Sequence, residues 1–264
     1  MGNVEIYYFS GTGNSLAVAR DMAEQLNGKL TPITSKIHQE GVTVEADAVG
    51  FVFPLYDFKH PPIVEDFVRK LEDISAKYLF AVCTYGLAPS QGLRHFDEVL
   101  KSRGGQLSAG FAVYMPHSGI GSGVVTKAHQ EEMFRNWKDR LEGVCKAIDA
   151  REKTELESSS LLFNFSKNIR MVSPALKFLK QVVLKGADSL EFIASEDCNS
   201  CGICEKVCPV QNVEIADGNP IWSDHCVGCF ACLNWCPKEA ISLGGLDLGI
   251  KSYHHPDVKL SDMI

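Results

Sequence analysis

Residues 4–15 read Val-Glu-Ile-Tyr-Tyr-Phe-Ser-Gly-Thr-Gly-Asn-Ser, and this stretch predicts a β-strand, a glycine-rich loop and the start of a helix. Val4 to Phe9 is a short apolar and aromatic run, which is typical of a buried strand. Apolar residues then recur at helical spacing over Asn14 to Asn27, and Gly28 ends the pattern. The six residues Ser10 to Ser15, which connect the predicted strand to the predicted helix, are all small or polar.

The alternation of strand and helix continues to about residue 151. A series of strand, helix and strand implies a parallel sheet covered on both faces, so the sequence predicts an α/β fold with a doubly wound parallel sheet. Ligands of such sheets bind beyond the carboxyl ends of the strands. The further predicted strands are Leu30–Ile33, Ala48–Phe53, Tyr78–Thr84 and Ala109–Met115, and the helices are Pro62–Asp73, Gln91–Ser102 and Lys127–Arg151.

The loop from Ser10 to Ser15 has the composition of a phosphate-binding site. Its glycines let successive backbone N–H groups turn inward, its hydroxyls add donors, and the helix N-terminus contributes the positive end of a dipole. Leu16 stands where a dinucleotide fingerprint has its third glycine, and a Gly-Lys-Ser or Gly-Lys-Thr sequence is absent. A monophosphate is therefore the best fit. The alternative is an ordinary helix start rich in small residues.

Two loops with aromatic residues follow the third and fourth predicted strands. Residues 54–62 include Tyr56, and residues 84–92 include Tyr85. Two aromatic faces at neighbouring strand ends can sandwich a flat heterocycle while loop amides bind its polar edge. For a single loop tyrosine, packing is the alternative role.

Eight of the ten cysteines form two runs of identical spacing, C-x-x-C-x-x-C-x-x-x-C-P, at residues 198–209 and 226–237. This spacing predicts two [4Fe–4S] clusters, in which the fourth cysteine of each run ligates the other cluster. Zinc favours paired C-x-x-C motifs and disulfides require an oxidising compartment, so both are weaker alternatives. The predicted ligand sets are Cys198, Cys201, Cys204 and Cys236 for one cluster, and Cys226, Cys229, Cys232 and Cys208 for the other.

The three loops resemble the FMN-binding loops of flavodoxins, in the same order over roughly residues 1–155. Residues 191–244 resemble bacterial two-cluster ferredoxins. The chain thus looks like a flavodoxin-ferredoxin fusion of the kind found in anaerobic bacteria and archaea. The resemblance implies that FMN and two 4Fe-4S clusters are the cofactors, and that a small ferredoxin-like α+β domain follows the parallel sheet.

The resemblance also implies which residues bind FMN. Tyr56 and Tyr85 would flank the isoalloxazine ring, although many flavodoxins have Trp where this chain has Leu55 and Tyr56. The side chains of Ser10, Thr12, Asn14 and Ser15, with the amides of Gly11 and Gly13, would hold the phosphate. The other implied FMN-binding residues are Pro54, Leu55, Asp57, Phe58, Thr84, Gly86 and Leu87.

Three other features are weaker signals. Cys83 and Cys145 lie in apolar patterns and are predicted to be buried thiols. His117, after the fifth strand, is a candidate proton donor, and a structural role is the alternative. His254 and His255 are adjacent, which favours a flexible or docked end of the chain over a metal site.

Charge and composition divide the chain into four predicted segments. Residues 191–264 contain eleven Asp and Glu against four Lys and Arg, whereas residues 1–190 contain twenty-two of each. The acidic end either steers a basic redox partner or serves solubility. The segments are an FMN-binding domain (1–155), a basic amphipathic linker predicted to be helical and divided by Pro174 (156–190), a two-cluster ferredoxin domain (191–245) and a C-terminal tail (246–264). The linker is expected to pack between the domains, with contact to a membrane surface or an acidic partner as alternatives.

These features predict an electron-transfer protein that couples one-electron clusters to two-electron FMN chemistry. One alternative is a reductase of a quinone or an unsaturated carbonyl compound, with residues 119–123 as a lid. The other is a redox-controlled binding module of a larger complex. Redox proteins are the expected partners, and nucleic acid is not expected. The start of the chain lacks a signal peptide and no run is long enough to cross a bilayer, so a cytoplasmic location is expected.

Overall fold

The computed structural model describes residues 3–119, 125–158, 191–244 and 252–264. The predicted parallel sheet is confirmed and has the strand order β2-β1-β4-β6-β7. This is the flavodoxin-like order of a doubly wound sheet. The strands, in chain order, are β1 (Val4–Tyr8), β2 (Lys29–Pro32), β3 (Val42–Thr43), β4 (Ala48–Pro54), β5 (Leu71–Glu72), β6 (Tyr78–Tyr85) and β7 (Leu107–Tyr114), and β3 and β5 form a separate parallel pair.

Helices cover both faces of the sheet. α1 (Asn14–Gln25) and α4 (Lys127–Asp149) pack on one face, and α2 (Pro62–Val68) and α3 (Gly92–Ser102) pack on the other. Because both faces are covered, the first six residues of the central strand β4 are all buried. Cys83 and Cys145 are buried in these two layers, as predicted, and burial raises the pKa of the Cys145 thiol to about 12.

One predicted helix is too long. The helix predicted over Pro62–Asp73 ends at Val68, because Leu71 and Glu72 leave it to form β5. Leu71 is 1% exposed, and its strand pairs with Val42–Thr43. A buried parallel pair thus outweighs the helical spacing of the apolar residues.

The cysteine-rich part forms a small α+β domain, which we call the cluster module (residues 191–244). It contains two antiparallel strand pairs and two one-turn helices, arranged as an approximate repeat. Each helix follows a left-handed residue, Gly202 at φ 70° and Phe230 at φ 56°. Its elements are β8 (Phe192–Ala194), α5 (Ile203–Lys206), β9 (Val213–Ala216), β10 (Asn219–Trp222), α6 (Ala231–Asn234) and β11 (Ile241–Leu243).

The tail, residues 252–264, is docked on the first domain. Val258 is 2% exposed, and Asp262, in a 3-10 helix (Leu260–Asp262), forms an ion pair with Arg20 at 3.0 Å. Glu157 belongs to the predicted linker, and its N–H donates to the Gly110 carbonyl of β7 at 3.0 Å. The rest of that linker, with Pro174, lies outside the described residues. In the parts of the chain that the structure describes, each helix is too short or too polar to cross a lipid bilayer.

Gly50→Ala and Gly143→Ala are expected to change stability in opposite directions. A Cβ at Gly50 in β4 would overlap the buried ring of Phe80, which predicts a loss of about 1–3 kcal/mol. A Cβ at Gly143 in α4 would meet no atom within 4 Å, and alanine there is expected to stabilise by roughly 0.5–1 kcal/mol. Urea unfolding of both variants measures the two changes, and a stable Gly50→Ala protein would contradict the packing described here.

Candidate functional site

The phosphate loop, Ser10–Ser15, joins β1 to α1 at the carboxyl edge of the sheet. Gly13 has φ 96°, a left-handed conformation that favours glycine, and its N–H donates to the Ser10 hydroxyl at 3.0 Å. Among the described residues, the N–H groups of Asn14, Ser15 and Leu16 have no hydrogen-bond acceptor. Such free N–H groups at a helix N-terminus suit a phosphate.

The second loop brings Tyr56 against the phosphate loop. Tyr56 and Lys59 exchange two backbone hydrogen bonds of 2.9 Å, and Asp57 and Phe58 between them are both left-handed, which makes a tight hairpin turn. The Tyr56 hydroxyl would lie 3.0 Å from a Cβ at Gly11. The residue is half-buried as a whole, but burial of its hydroxyl end raises its pKa well above the usual value.

The third loop lies beside the second but directs its tyrosine elsewhere. Leu55 donates its N–H to the Thr84 carbonyl at 2.9 Å, and the Thr84 hydroxyl is 2.8 Å from that of Ser15. Tyr85 instead packs on Tyr114, with ring centroids 5.5 Å apart. Pro54 ends β4 at this same edge, paired with Thr84 of β6.

His117 closes the third loop from the side of β7. A Cβ at Gly86 would lie 2.8 Å from the His117 Cβ, so the two backbones approach closely. His117 accepts at Nδ1 from the Gly119 N–H at 2.9 Å, and burial lowers its pKa. The ring is therefore neutral at neutral pH and carries its proton on Nε2. Of the predicted lid, residues 120–123 lie outside the described residues.

The eight motif cysteines line two separate cavities. One cavity is lined by four cysteines that we call the outer cysteine set: Cys198, Cys201, Cys204 and Cys236. The other cavity is lined by the inner cysteine set: Cys208, Cys226, Cys229 and Cys232. Each cavity therefore takes three cysteines from one run and one from the other. Four soft thiol ligands around one cavity suit an iron-sulfur cluster.

The inner cysteine set lies against the phosphate loop. A Cβ at Gly11 would be only 2.6 Å from the Cys229 carbonyl oxygen and 3.1 Å from the Cys229 Cβ. Trp235 lies between Cys232 of the inner set and Cys236 of the outer set, and it donates from Nε1 to the Gly11 carbonyl at 3.1 Å. The cluster module therefore contacts the loop directly, with no room for a side chain at Gly11.

A buried network of polar side chains surrounds this contact. Tyr253 donates its hydroxyl to Asn14 Oδ1 at 2.6 Å, and Asn14 Nδ2 donates to the Pro116 carbonyl at 2.9 Å. Asn234 accepts from the Tyr253 N–H at 2.8 Å and donates to the Ser118 carbonyl at 3.0 Å. The Asn14 side chain is thus held by protein groups, and the loop is tied to both the cluster module and the tail.

Sequence reasoning missed the residues that contact the phosphate loop, Trp235, Tyr253, His255 and Val258, and Asn234, which binds Tyr253. Trp235 and Asn234 lie within the second cysteine run, where only the ligands have a recognisable spacing. A buried tryptophan needs a partner for its N–H, which is the one signal that could have pointed to such a contact. For the tail, a docked end is one of the two outcomes expected from the sequence, but its residues show no periodicity that identifies the surface on which it docks.

Comparisons with known proteins agree with the two-part architecture. Residues 5–116 match the family model of the flavodoxin domain, and residues 197–241 match that of the 4Fe-4S dicluster domain. The polyferredoxin MvhB of Methanothermobacter thermautotrophicus is 35% identical over 54 residues, which are 20% of this chain and 13% of that protein. MvhB of Methanothermus fervidus is 37% identical over 49 residues, 19% of this chain and 12% of that protein. The chain thus spans about an eighth of these relatives.

Solved structures similar to the chain include a two-electron reduced flavodoxin from Megasphaera elsdenii. It is 17% identical, with a TM-score of 0.37, and the match covers 55% of this chain and 99% of that one. An azoreductase from Bacillus anthracis is 11% identical, with a TM-score of 0.39 and coverage of 55% and 99%.

Acidification is expected to release the tail. Burial lowers the pKa of His255, while Asp257 and Asp21 oppose this and Lys138 adds to it. The hydrogen bond from Arg20 lowers the pKa of Asp262. His255 binds fewer protons when docked, so docking is expected to weaken as the pH falls from neutral values to values below the ordinary histidine pKa of about 6.5. The Asp262 carboxyl adds to this only at much lower pH, below the ordinary aspartate pKa of about 3.9.

Hydrogen exchange of residues 252–264, corrected for the pH dependence of the intrinsic exchange rate, measures this release. The protection factors are expected to fall with acidification in the unmodified protein and to fall less between these pH values in His255→Gln. His38→Gln, which removes an exposed histidine, is the control and should behave like the unmodified protein. Protection factors that do not depend on pH would contradict the expectation.

Proposed function

We propose that this chain, which joins a flavodoxin domain to a 4Fe-4S dicluster domain, transfers electrons between two iron-sulfur clusters and FMN within one polypeptide. The observation that carries the proposal is the contact between the inner cysteine set and the phosphate loop, where the Cys229 carbonyl lies against Gly11. Electron transfer slows steeply with distance, so direct contact between the two binding segments favours exchange inside the molecule.

In this proposal the two cysteine sets hold one [4Fe–4S] cluster each. Cys201 of the outer set and Cys226 of the inner set are exposed, whereas Cys229 is 8% exposed and faces the flavodoxin domain. The inner set is therefore the neighbour of the flavin site, and the exposed edge of the outer set is open to a redox partner. The acidic residues of the module would steer a basic partner towards it.

The three loops at the carboxyl edge would hold FMN. The hydroxyls of Ser10, Thr12 and Ser15 and the free N–H groups at the start of α1 suit its phosphate. Tyr56 would contact the ring system, and the amides of the second and third loops would bind its polar edge. When bound, FMN accepts two electrons and releases them singly, whereas each cluster passes one.

Two features of the site modify what the resemblance implied. Tyr85 is packed on Tyr114, so its role against the flavin ring stays a prediction. Asn14 directs its side chain to Tyr253 and Pro116, which leaves its backbone N–H as the group open to a phosphate. The alternative functions, a reductase of a small organic substrate and a redox-controlled binding module, also stay predictions.

Two serine variants test the crossed ligand sets. The first variant replaces the outer set alone: Cys198, Cys201, Cys204 and Cys236. It should keep about four irons per chain, against about eight in the unmodified protein. The second variant replaces Cys208 in place of Cys236, which damages both sets, and it should keep fewer than four irons. Iron and sulfide analysis after anaerobic purification measures both. Equal iron in the two variants, or four irons only in the second, would overturn the assignment.

Stopped-flow reduction tests the electron transfer. A low-potential one-electron donor is expected to bleach the clusters first, and the flavin absorbance should then fall at a rate that does not depend on protein concentration, because the transfer is intramolecular. The variant that lacks the outer set should show slower delivery from a protein donor, since the exposed edge at Cys201 is gone and the exposed edge at Cys226 of the inner set remains. Flavin reduction that is absent, or that is proportional to protein concentration, would exclude the internal route.

A further inference from the structure

We infer that Trp235 of the cluster module is a positioning residue for the FMN phosphate, acting through the Gly11 carbonyl. The inference rests on the FMN site proposed above. It assigns a role in flavin binding to a side chain that lies 224 residues further along the chain, between two cluster ligands.

The geometry concerns two consecutive peptide groups of the phosphate loop. Trp235 Nε1 donates to the Gly11 carbonyl at 3.1 Å, in a buried hydrogen bond. The C=O and N–H of a trans peptide point in opposite directions, so anchoring this carbonyl also sets the direction of the Thr12 N–H. Among the described residues the Thr12 N–H has no hydrogen-bond acceptor, so it is a further donor available to a phosphate.

The next peptide is anchored in the same way from the tail. The Thr12 carbonyl accepts from the His255 N–H at 2.9 Å, and the N–H of that peptide, on Gly13, donates to Ser10 at 3.0 Å. A Cβ at Gly13 would lie 2.9 Å from the Val258 Cβ. The carbonyl side of the loop is therefore covered by protein.

Trp235 is itself held rigidly. Its ring stacks on His254 with centroids 4.3 Å apart and an interplanar angle of 12°, and the residue is 7% exposed. It precedes Cys236, a member of the outer set. An indole fixed by stacking and by a neighbouring cluster ligand holds the carbonyl at little further entropic cost, so the loop is preorganised for its ligand.

Trp235→Phe tests the inference because it keeps an aromatic ring for stacking and removes the N–H donor. The Kd for FMN is expected to rise about three- to tenfold, as for the loss of one hydrogen bond. The Kd for riboflavin, which lacks the phosphate, is expected to stay the same. Both values come from flavin fluorescence quenching on titration of flavin-free, cluster-loaded protein under anaerobic conditions.

Tyr78→Phe is the matched control. Tyr78 also donates to a backbone carbonyl, that of Glu152 at 2.7 Å, but it is the first residue of β6 and so lies at the sheet edge opposite the loop. This variant should leave the ratio of riboflavin to FMN affinities unchanged. Trp235→His keeps a ring N–H and is expected to recover part of the ratio that Trp235→Phe loses.

An unchanged ratio in Trp235→Phe, or an equal loss of FMN and riboflavin affinity, would overturn the positioning role, and so would a Trp235→His protein with no recovery. Failure of the proposed FMN site has a different signature. In that case the unmodified protein itself would not prefer FMN to riboflavin.

Discussion

The carbonyl side of the phosphate loop is the constraint on which the arrangement of the molecule depends. Trp235 and the backbone of His255 donate to two consecutive loop carbonyls, at 3.1 and 2.9 Å. Buried carbonyls need such partners, and here a second domain and the chain's tail supply them. The buried apolar cluster on that face of the sheet accordingly includes Cys229, Trp235 and Val258 together with residues of the first domain. The position of the inner cysteine set relative to the loop follows from this packing.

The same contact explains the glycines of the loop. The Cys229 carbonyl packs against Gly11, and the Val258 side chain packs against Gly13. A side chain at either glycine would block this contact. In an isolated phosphate-binding loop, glycines serve the ligand by letting N–H groups turn inward. In this chain they serve two neighbours, because the opposite side of the loop carries the cluster module and the tail. The proposed binding of FMN and the docking of the cluster module would therefore act on one short segment, and any effect of one on the other would be reciprocal.

Much of the fold could be predicted from the sequence, and the errors have physical causes. The five strands of the sheet begin and end within two residues of the predicted positions. Four of them are mainly apolar runs bounded by turn residues, whereas β2 (Lys29–Pro32) is short and partly polar. The helix predicted to Asp73 ends at Val68, because Leu71 is buried through pairing with β3 and periodicity cannot distinguish the two outcomes. The three loops meet at one sheet edge as expected, but Tyr85 packs on Tyr114, a contact between side chains from different strands.

Local patterns in the sequence by themselves determined the parallel sheet, the phosphate loop and the spacing of the cysteines. Those patterns arise within a strand, a turn or a motif, where a few adjacent residues are sufficient to specify the backbone. Tertiary structure alone decided that Trp235 donates to Gly11, that Tyr253 binds Asn14 and that the tail covers the loop. Such contacts join residues more than two hundred positions apart. They depend on how complete domains pack, and the spacing of residues within one motif does not determine that packing.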